Sequence, residues 1–216
     1  MAPVETDNVC GQDRRMSEII GKDITAAPAT PDRWADVVSV MGLRGDPSWC
    51  WCQHFRFRGK EWADTTTAGN REHLRGQVES GPPAPGVVAY RDGQPVGWCA
   101  VGPKARYPRL MASRISSPTN LSTEPTDVDA TWAVSCFVVR SGHRRSGVSA
   151  ALLDAAVEYA TASGANTLGG YPVDPSAKKS VSGAELFHGA LSVFLAAGFT
   201  EVHRPSPARA LVRKQL

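Results

Sequence analysis

The sequence predicts an α/β (α+β) fold in which helices flank a mixed central sheet. Three observations support this prediction: an apolar helical pattern over 31–41, a hairpin pattern over 86–101, and a strand, loop and helix in direct succession over 132–163. Helical patterns come first and are then mixed with strand patterns, which is the order expected of an α/β or α+β architecture with a mixed central sheet.

The N-terminal half contains helical patterns followed by a hairpin. Residues 1–20 are polar and lack periodicity, so we expect a disordered leader before a single domain over 21–216. Asp92-Gly93 suits a tight hairpin turn that needs positive φ. In chain order, the other elements expected here are a strand over 23–26, a helix that Pro31 opens and Gly42 ends, a polar helix over 67–79, and a functional or mobile Ser/Thr/Pro-rich loop over 103–129.

The C-terminal half alternates strands and helices. Val, Phe, Trp and Cys residues over 132–139 indicate a buried strand, and apolar residues from Val148 onward recur at helical spacing. The later elements expected are a strand over 167–173, a helix over 184–197 that Gly198 ends, and strands near 199–203 and 209–213.

The composition excludes several classes of function. The 216 residues are 42% apolar and 21% charged, as in an ordinary globular domain with a full core. A formal net charge of +3 does not indicate a nucleic-acid partner, no apolar run could span a bilayer, and residues 1–15 lack the apolar core of a signal peptide. Five cysteines, an odd number, indicate reduced thiols and hence a cytoplasmic protein.

The loop between strand 132–139 and the following helix is the strongest candidate site. The first N–H groups of a helix have no intrahelical partner, and with Arg144 and Arg145 beside them they favour a phosphate or pyrophosphate. Gly147 would let a ligand approach the backbone closely. Neither a Gly-Lys-Ser/Thr nor a G-x-G-x-x-G motif is present, so the loop is not of the Walker or dinucleotide-binding type.

Two segments carry a family resemblance. Arg144-x-x-Gly147-x-Ser149 resembles the acetyl-CoA signature [Gln/Arg]-x-x-Gly-x-[Gly/Ala] of the GCN5-related N-acetyltransferase (GNAT) superfamily, with a small Ser149 in the last position. The segment from Phe194 to Phe199, Phe-Leu-Ala-Ala-Gly-Phe, is similar to the family's Tyr-x-x-x-Gly-Phe and follows in the family's order. The resemblance covers 86–215 well and implies a mostly antiparallel central sheet, acetyl-CoA as donor and an amine as acceptor.

The resemblance also implies which residues bind acetyl-CoA. The backbone of the strand before the loop would pair with the pantetheine arm, and the loop and helix start would bind the pyrophosphate. The acetyl-CoA residues expected on this basis are Phe137, Val138, Val139, Arg144, Arg145, Ser146, Gly147, Val148, Ser149, Ala150 and Phe194.

The proton-transfer groups that the family commonly uses are missing. Acetyl transfer needs a neutral amine, a stabilised oxyanion and a protonated leaving thiolate. The family's Tyr is Phe194 here, and its frequent strand Glu falls near Ala133. Catalysis mainly by proximity is therefore one alternative. The candidate catalytic residues otherwise available are Tyr171, His188 and Ser135, with Glu185 as a further titratable group.

An aromatic, cysteine-rich segment over 49–55 is the candidate acceptor region. As a strand it would place Cys50, Cys52 and His54 on one face. It could form the wall of an acceptor pocket, ordinary core or a metal site, but no second ligand cluster has zinc spacing, so no metal is expected. The candidate substrate-binding residues are Trp49, Trp51, His54 and Trp132.

These observations predict a cytoplasmic N-acetyltransferase. A small-molecule primary amine is the expected acceptor, because no acidic groove for basic protein tails is evident. Acetylation of a protein N-terminus or lysine, and a non-catalytic acyl-CoA-binding module, stay open as alternatives. So does a homodimer.

Overall fold

A computed structural model of the chain describes residues 23–113 and 130–216. The expected leader over 1–20 and most of the 103–129 connection lie outside the described residues. The strands are β1 (Thr25–Pro28), β2 (Gly86–Arg91), β3 (Gln94–Pro103), β4 (Thr131–Val139), β5 (Thr167–Gly170), β6 (Thr200–Ser206) and β7 (Arg209–Gln215).

These strands form one sheet in the order β1-β2-β3-β4-β5-β7-β6. Every neighbouring pair is antiparallel except β4 and β5, which are parallel. Asp92 (φ 50°) and Gly93 (φ 72°) form the turn between β2 and β3, so the predicted hairpin has its predicted tip. The expected mixed, mostly antiparallel fold is confirmed.

The helices pack on both faces of the sheet. In chain order they are α1 (Trp34–Met41), α2 (Asp46–Cys50), α3 (Gly59–Ala63), α4 (Thr67–Glu79), α5 (Pro108–Met111), α6 (Val148–Ala162) and α7 (Leu191–Ala196). Gly42, at φ 72°, ends α1 as predicted, and the Thr66 side chain caps α4 by accepting a hydrogen bond from the Gly69 N–H at 3.1 Å. Among the described residues, no helix has the length and apolarity that crossing a membrane requires.

Two apolar cores lie on opposite faces of the sheet. One core packs α6, through Leu152 and Tyr159, against the sheet, and the other packs α1 and α4 around Trp98. Helix α6 lies directly on β3, because a Cβ on Gly97 would be 2.7 Å from a methyl carbon of Val148. Close packing of α6 therefore fixes where its N-terminus sits relative to the sheet.

The segment over 49–55 is not a strand, so the shared face considered for Cys50, Cys52 and His54 does not form by alternation. The segment begins as α2, and Trp51 (φ 45°) and Cys52 (φ 54°) then adopt left-handed backbone conformations. The buried Gln53 amide holds this turn: its Nε2 donates to the Trp51 carbonyl at 2.9 Å, and its Oε1 accepts from Gln77 Nε2 at 2.8 Å. A partner 24 residues away on α4 thus overrides the local alternation.

The predicted single helix over 184–197 is wrong. A 3₁₀ turn covers Glu185–His188, Gly189 follows at φ 80°, and α7 begins at Leu191. A Cβ on Gly189 would lie 2.9 Å from the rings of both Phe137 and Phe194. Close packing against these two rings and the positive φ break the helix at this point.

Candidate active site

Strands β4 and β5 part in the middle of the sheet. They pair only from Thr131 with Thr167 to Val134 with Gly170, where β5 ends. Strand β4 continues to Val139, and beyond Val134 its free side faces the Glu185–His188 turn. An unpaired strand edge can hydrogen-bond an extended ligand through its backbone. The gap between β4 and β5 is therefore a candidate binding cleft.

A bulge in β4 places two side chains on the same side of the sheet. Ala100 pairs with Cys136, but the next residue, Val101, pairs with Val134, so Ser135 is the extra residue. Regular alternation would send Ser135 and Cys136 to opposite faces, whereas here both line one cavity. The bulge thus brings a hydroxyl and a thiol to the place where the strands part.

The loop after β4 forms a cradle at the N-terminus of α6. Arg145 (φ 58°) and Gly147 (φ 86°) both have left-handed backbone conformations, and the helix begins at Val148. The N–H groups of Val148, Ser149 and Ala150 precede the Ala151 N–H, which donates to the Gly147 carbonyl at 3.1 Å. A Cβ on Gly147 would meet no described atom within 4 Å, so the space above this glycine is open.

Arg91, at the end of β2, supports this cradle and was missed by the sequence analysis. Its Nη1 donates to Ser146 Oγ at 2.9 Å and its Nη2 to the Ser146 carbonyl at 2.8 Å. Ser146 Oγ in turn donates to the His143 carbonyl at 2.7 Å. Because Arg91 lies 55 residues upstream, nothing in the local motif could have indicated it.

A cavity of about 290 Å³ lies between β4, the segment after α1 and the Glu185–His188 turn, all of which contribute to its lining. Its rings contact one another: those of Trp49 and Trp62 are 4.8 Å apart, those of His54 and Trp62 5.2 Å, and those of Phe55 and His188 5.5 Å. The residues that line the cavity are Asp46, Pro47, Trp49, Cys50, Cys52, His54, Phe55, Trp62, Ser135, Cys136, Val138, Ala184, Phe187 and His188.

Burial lowers the pKa of both histidines of the cavity. Burial, with smaller contributions from Arg209 and His54, lowers the pKa of His188 to about 4. Burial and the charge of Arg109 also lower the pKa of His54. Arg109 lies directly behind His54, since its Nε donates to the His54 carbonyl at 2.6 Å.

Two buried polar atoms of the cavity lining lack partners. His188 Nδ1 and Ser135 Oγ make no hydrogen bond of ordinary geometry to any described residue. The Ser135 hydroxyl lies near the Tyr107 hydroxyl, which is likewise buried without such a bond to the described chain. Since buried polar atoms nearly always have partners, these atoms are suited to bind a ligand in the cavity.

The three thiols of the cavity are free, and two of them have raised pKa values. Cys50, Cys52 and Cys136 are free cysteines. Burial raises the pKa of Cys50 to about 11, and the neighbouring Cys136 thiol, together with burial, raises the pKa of Cys52 well above its usual value. Within 23–113 and 130–216, no group of three or more His, Cys, Asp and Glu side chains is arranged to hold a metal ion.

Two of the four candidate substrate residues line the cavity, and the other two belong to the core. Trp49 and His54 line the cavity, but Trp51 and Trp132 do not. Trp51 stacks on Trp34 at 6.0 Å and is 4% exposed, and Trp132 packs against Tyr159 of α6 at 5.6 Å. Both indoles belong to the core, because the turn after α2 and the alternation of β4 direct them away from the cavity.

Two of the three candidate catalytic residues also line the cavity, and the third is buried elsewhere. Ser135 and His188 line the cavity, whereas Tyr171 is buried in a small core with Tyr107 and Leu211. Phe194 is fully buried, with its ring 5.9 Å from that of Phe137 and 5.1 Å from that of Phe199. Contact of Phe194 with the thioester end of the donor stays a prediction.

Comparison with known proteins identifies the family. Residues 48–181 match the model of the acetyltransferase (GNAT) family, and the chain belongs to this family. It is therefore an N-acetyltransferase whose acetyl donor is acetyl-CoA. A search of curated proteins finds no significant match.

Solved structures are similar to this chain at low sequence identity. The GNAT domain of S. lividans PAT is 18% identical, with 89% of this chain and 90% of that chain covered and a TM-score of 0.50. A GCN5-related N-acetyltransferase from Kribbella flavida is 16% identical, with 90% and 99% covered and a TM-score of 0.50. The putative acetyltransferase yncA from Salmonella typhimurium, solved with its cofactor acetyl-CoA, is 14% identical, with 90% and 95% covered and a TM-score of 0.49.

The residues present fit acetyl-CoA as donor. The cradle before α6 offers unpaired N–H groups, two arginine side chains and open space above Gly147, as a pyrophosphate requires. The unpaired edge of β4 offers backbone donors and acceptors for an extended arm. Both features lie on one continuous stretch of chain, from Ser135 to Ala150.

Proposed function

We propose that the enzyme acetylates the primary amine of a small molecule. The observation that carries the proposal is the cavity beside the open edge of β4, which Ser135 lines with its hydroxyl and His188 with a buried Nδ1 that has no hydrogen-bond partner among the described residues. Its volume of about 290 Å³ suits a small ligand, near the lower end of the ~300–1,000 Å³ typical of ligand pockets.

The donor would bind along β4 and the cradle. In this proposal the backbone over 137–139 pairs with the pantetheine arm, and the amides at the start of α6 bind the pyrophosphate with Arg144 and Arg145. Arg91 acts indirectly, by holding Ser146 in place. The acetyl group would then reach the bulge at Ser135, next to the cavity.

His188 is the proposed acceptor of the amine proton. Burial lowers the pKa of His188 to about 4, so the neutral imidazole is a weak base and would accept only the acidic proton that the amine nitrogen carries once it has bonded to the acetyl carbon. The amine nitrogen bonds to the acetyl carbon, and the Ser135 hydroxyl donates to the developing oxyanion. The carbon–sulfur bond then breaks, and the proton held by His188 is available to the leaving thiolate.

Free thiols support a reducing location. Cys50, Cys52, Cys99 and Cys136 are all free cysteines, and three of them line the acceptor cavity. Disulfide formation there would alter the site, so we propose that the enzyme works in the cytoplasm.

Release of CoA thiol from acetyl-CoA in the presence of a panel of primary amines tests the proposal. His188→Gln should lower kcat about 10²-fold, the smaller end of the usual effect of losing a general base, with acetyl-CoA affinity unchanged. His203→Gln is the matched control, because His203 lies on β6 and outside the cavity lining. Unchanged turnover in His188→Gln would overturn the assigned role, and thiol release with peptides alone would overturn the acceptor class.

A further inference from the structure

We infer that the acceptor is a compact monoamine with an aromatic or apolar body, and that polyamines, aminosugars and peptides are poor substrates. This inference rests on the proposed function, since it names the acceptor of the same cavity. It follows from three properties of the lining: its rings, its thiols and its charge.

Aromatic rings form one connected wall of the cavity. The ring of Trp62 packs edge to face against those of Trp49 and His54. The ring of Phe55 lies between two histidines, 4.8 Å from the ring of His54 and 5.5 Å from that of His188. Phe187 also lines the cavity. A flat ring inserted here meets faces and edges in the arrangements that aromatic groups prefer.

The thiols extend this apolar surface. Cys50, Cys52 and Cys136 line the same cavity, and the raised pKa values of Cys50 and Cys52 keep those two sulfur atoms uncharged. Uncharged sulfur makes favourable contacts with aromatic rings and offers only weak hydrogen bonds. These groups therefore favour a ring over a peptide backbone or a sugar, whose polar atoms would remain unpaired.

The charge of the cavity suits one amino group. Asp46 is the one formally charged residue among the described residues that line it. Two arginines lie near the histidines, and their positive charges lower the histidine pKa values: Arg109 affects His54, and Arg209 affects His188. Arg109 also lies 5.8 Å from the centre of the Trp62 ring. A polycation would meet a single carboxylate and two guanidinium groups, whereas a monoamine brings only one amino group to the cavity.

The inference is tested by comparing phenylethylamine with spermidine and with a short peptide that has a free N-terminal alanine. We expect kcat/KM for phenylethylamine to exceed that for either other acceptor by about tenfold or more, the difference that one well-placed aromatic contact can supply. Ethylamine serves as the acceptor without a ring. Protection of the protein against thermal unfolding by phenylethylamine, with CoA present, reports binding separately from turnover.

Trp49→Ala tests the aromatic wall directly. Trp49 is 44% exposed, so its truncation should leave the fold intact. We expect kcat/KM for phenylethylamine to fall about tenfold and that for ethylamine to stay within about threefold. Leu186→Ala is the matched control, because Leu186 is 43% exposed in the nearby 3₁₀ turn but does not line the cavity.

The outcomes separate the inference from the proposed function. The inference is supported if the protein prefers phenylethylamine to the other acceptors, if Trp49→Ala loses this preference and if Leu186→Ala keeps it. Equal or better use of spermidine or the peptide overturns it and leaves acetyl transfer standing. An equal loss for phenylethylamine and ethylamine in Trp49→Ala also overturns it. Binding of acetyl-CoA without transfer to any amine overturns the proposed function and the inference together.

Discussion

Replacement of Gly147 by glutamate tests the donor site most directly. Gly147 has φ 86°, so any side chain there costs about 1–2 kcal/mol of backbone strain. A carboxylate at a helix N-terminus stabilises the folded protein by about 0.3–1 kcal/mol, which offsets part of this strain. Because a Cβ meets no described atom within 4 Å, the net loss of unfolding free energy should be about 1 kcal/mol, or roughly 2–4 °C in Tm for a domain of this size.

The effect on acetyl-CoA binding should be much larger. The new carboxylate would stand in the open space that we assign to the pyrophosphate. Two like charges about 5 Å apart repel by about 3 kcal/mol at an effective dielectric constant of 20. This corresponds to a loss of affinity of more than about a hundredfold, measured by calorimetric titration of acetyl-CoA at low ionic strength.

Gly164→Glu is the matched control at the other end of α6. Gly164 has φ 83°, and a Cβ there also meets no described atom within 4 Å, so the backbone strain is the same. Its melting temperature should fall at least as far, since a carboxylate near a helix C-terminus is unfavourable, while acetyl-CoA affinity stays unchanged. A folded Gly147→Glu protein that binds acetyl-CoA normally, or equal affinity losses in both variants, would refute the reasoning.

Three further predictions follow from buried side chains. Phe194→Leu should lower the free energy of unfolding by about 1–2 kcal/mol through loss of its aromatic contacts, and it should alter acetyl-CoA affinity. The pH profile of kcat should stay unchanged, and loss of an ionisation from that profile would contradict the prediction. The pKa of His188 is about 4 in the folded protein and about 6.5 in the unfolded chain, so the free energy of unfolding should fall by up to about 3 kcal/mol as the pH drops through this interval. Urea unfolding should show a smaller decrease over the same interval for His188→Gln. Trp51→Ala should lower the unfolding free energy by about 3–5 kcal/mol, as for a core indole; selective loss of acceptor use in an equally stable protein would contradict this.

Sequence analysis was accurate where the determining groups are neighbours along the chain. Helix α4 covers Thr67–Glu79, as expected, because its cap at Thr66 and its stop before Gly81 are both local signals. The loop before α6 was predicted for the same reason: a strand, a glycine at positive φ and a helix start follow one another directly. Local backbone preferences therefore predicted these elements.

Prediction failed where a distant partner outweighs the local pattern. The sequence over 49–55 does not show that the bonds of Gln53 to Trp51 and Gln77 stabilise a left-handed turn there. The helix over 184–197 breaks at Gly189 because the rings of Phe137 and Phe194 pack against it. Periodicity contains no information about either contact.

Two local motifs were enough to indicate the family, and they predict donor binding along one continuous stretch of backbone from β4 to the start of α6. Which side chains share the cavity depends instead on tertiary packing. His54, Ser135 and His188 come from three separate segments, and the bulge at Ser135 depends on its register with β3. Trp51 and Trp132 were excluded from the cavity for the same reason, since the face on which an indole lies is set by packing between distant elements.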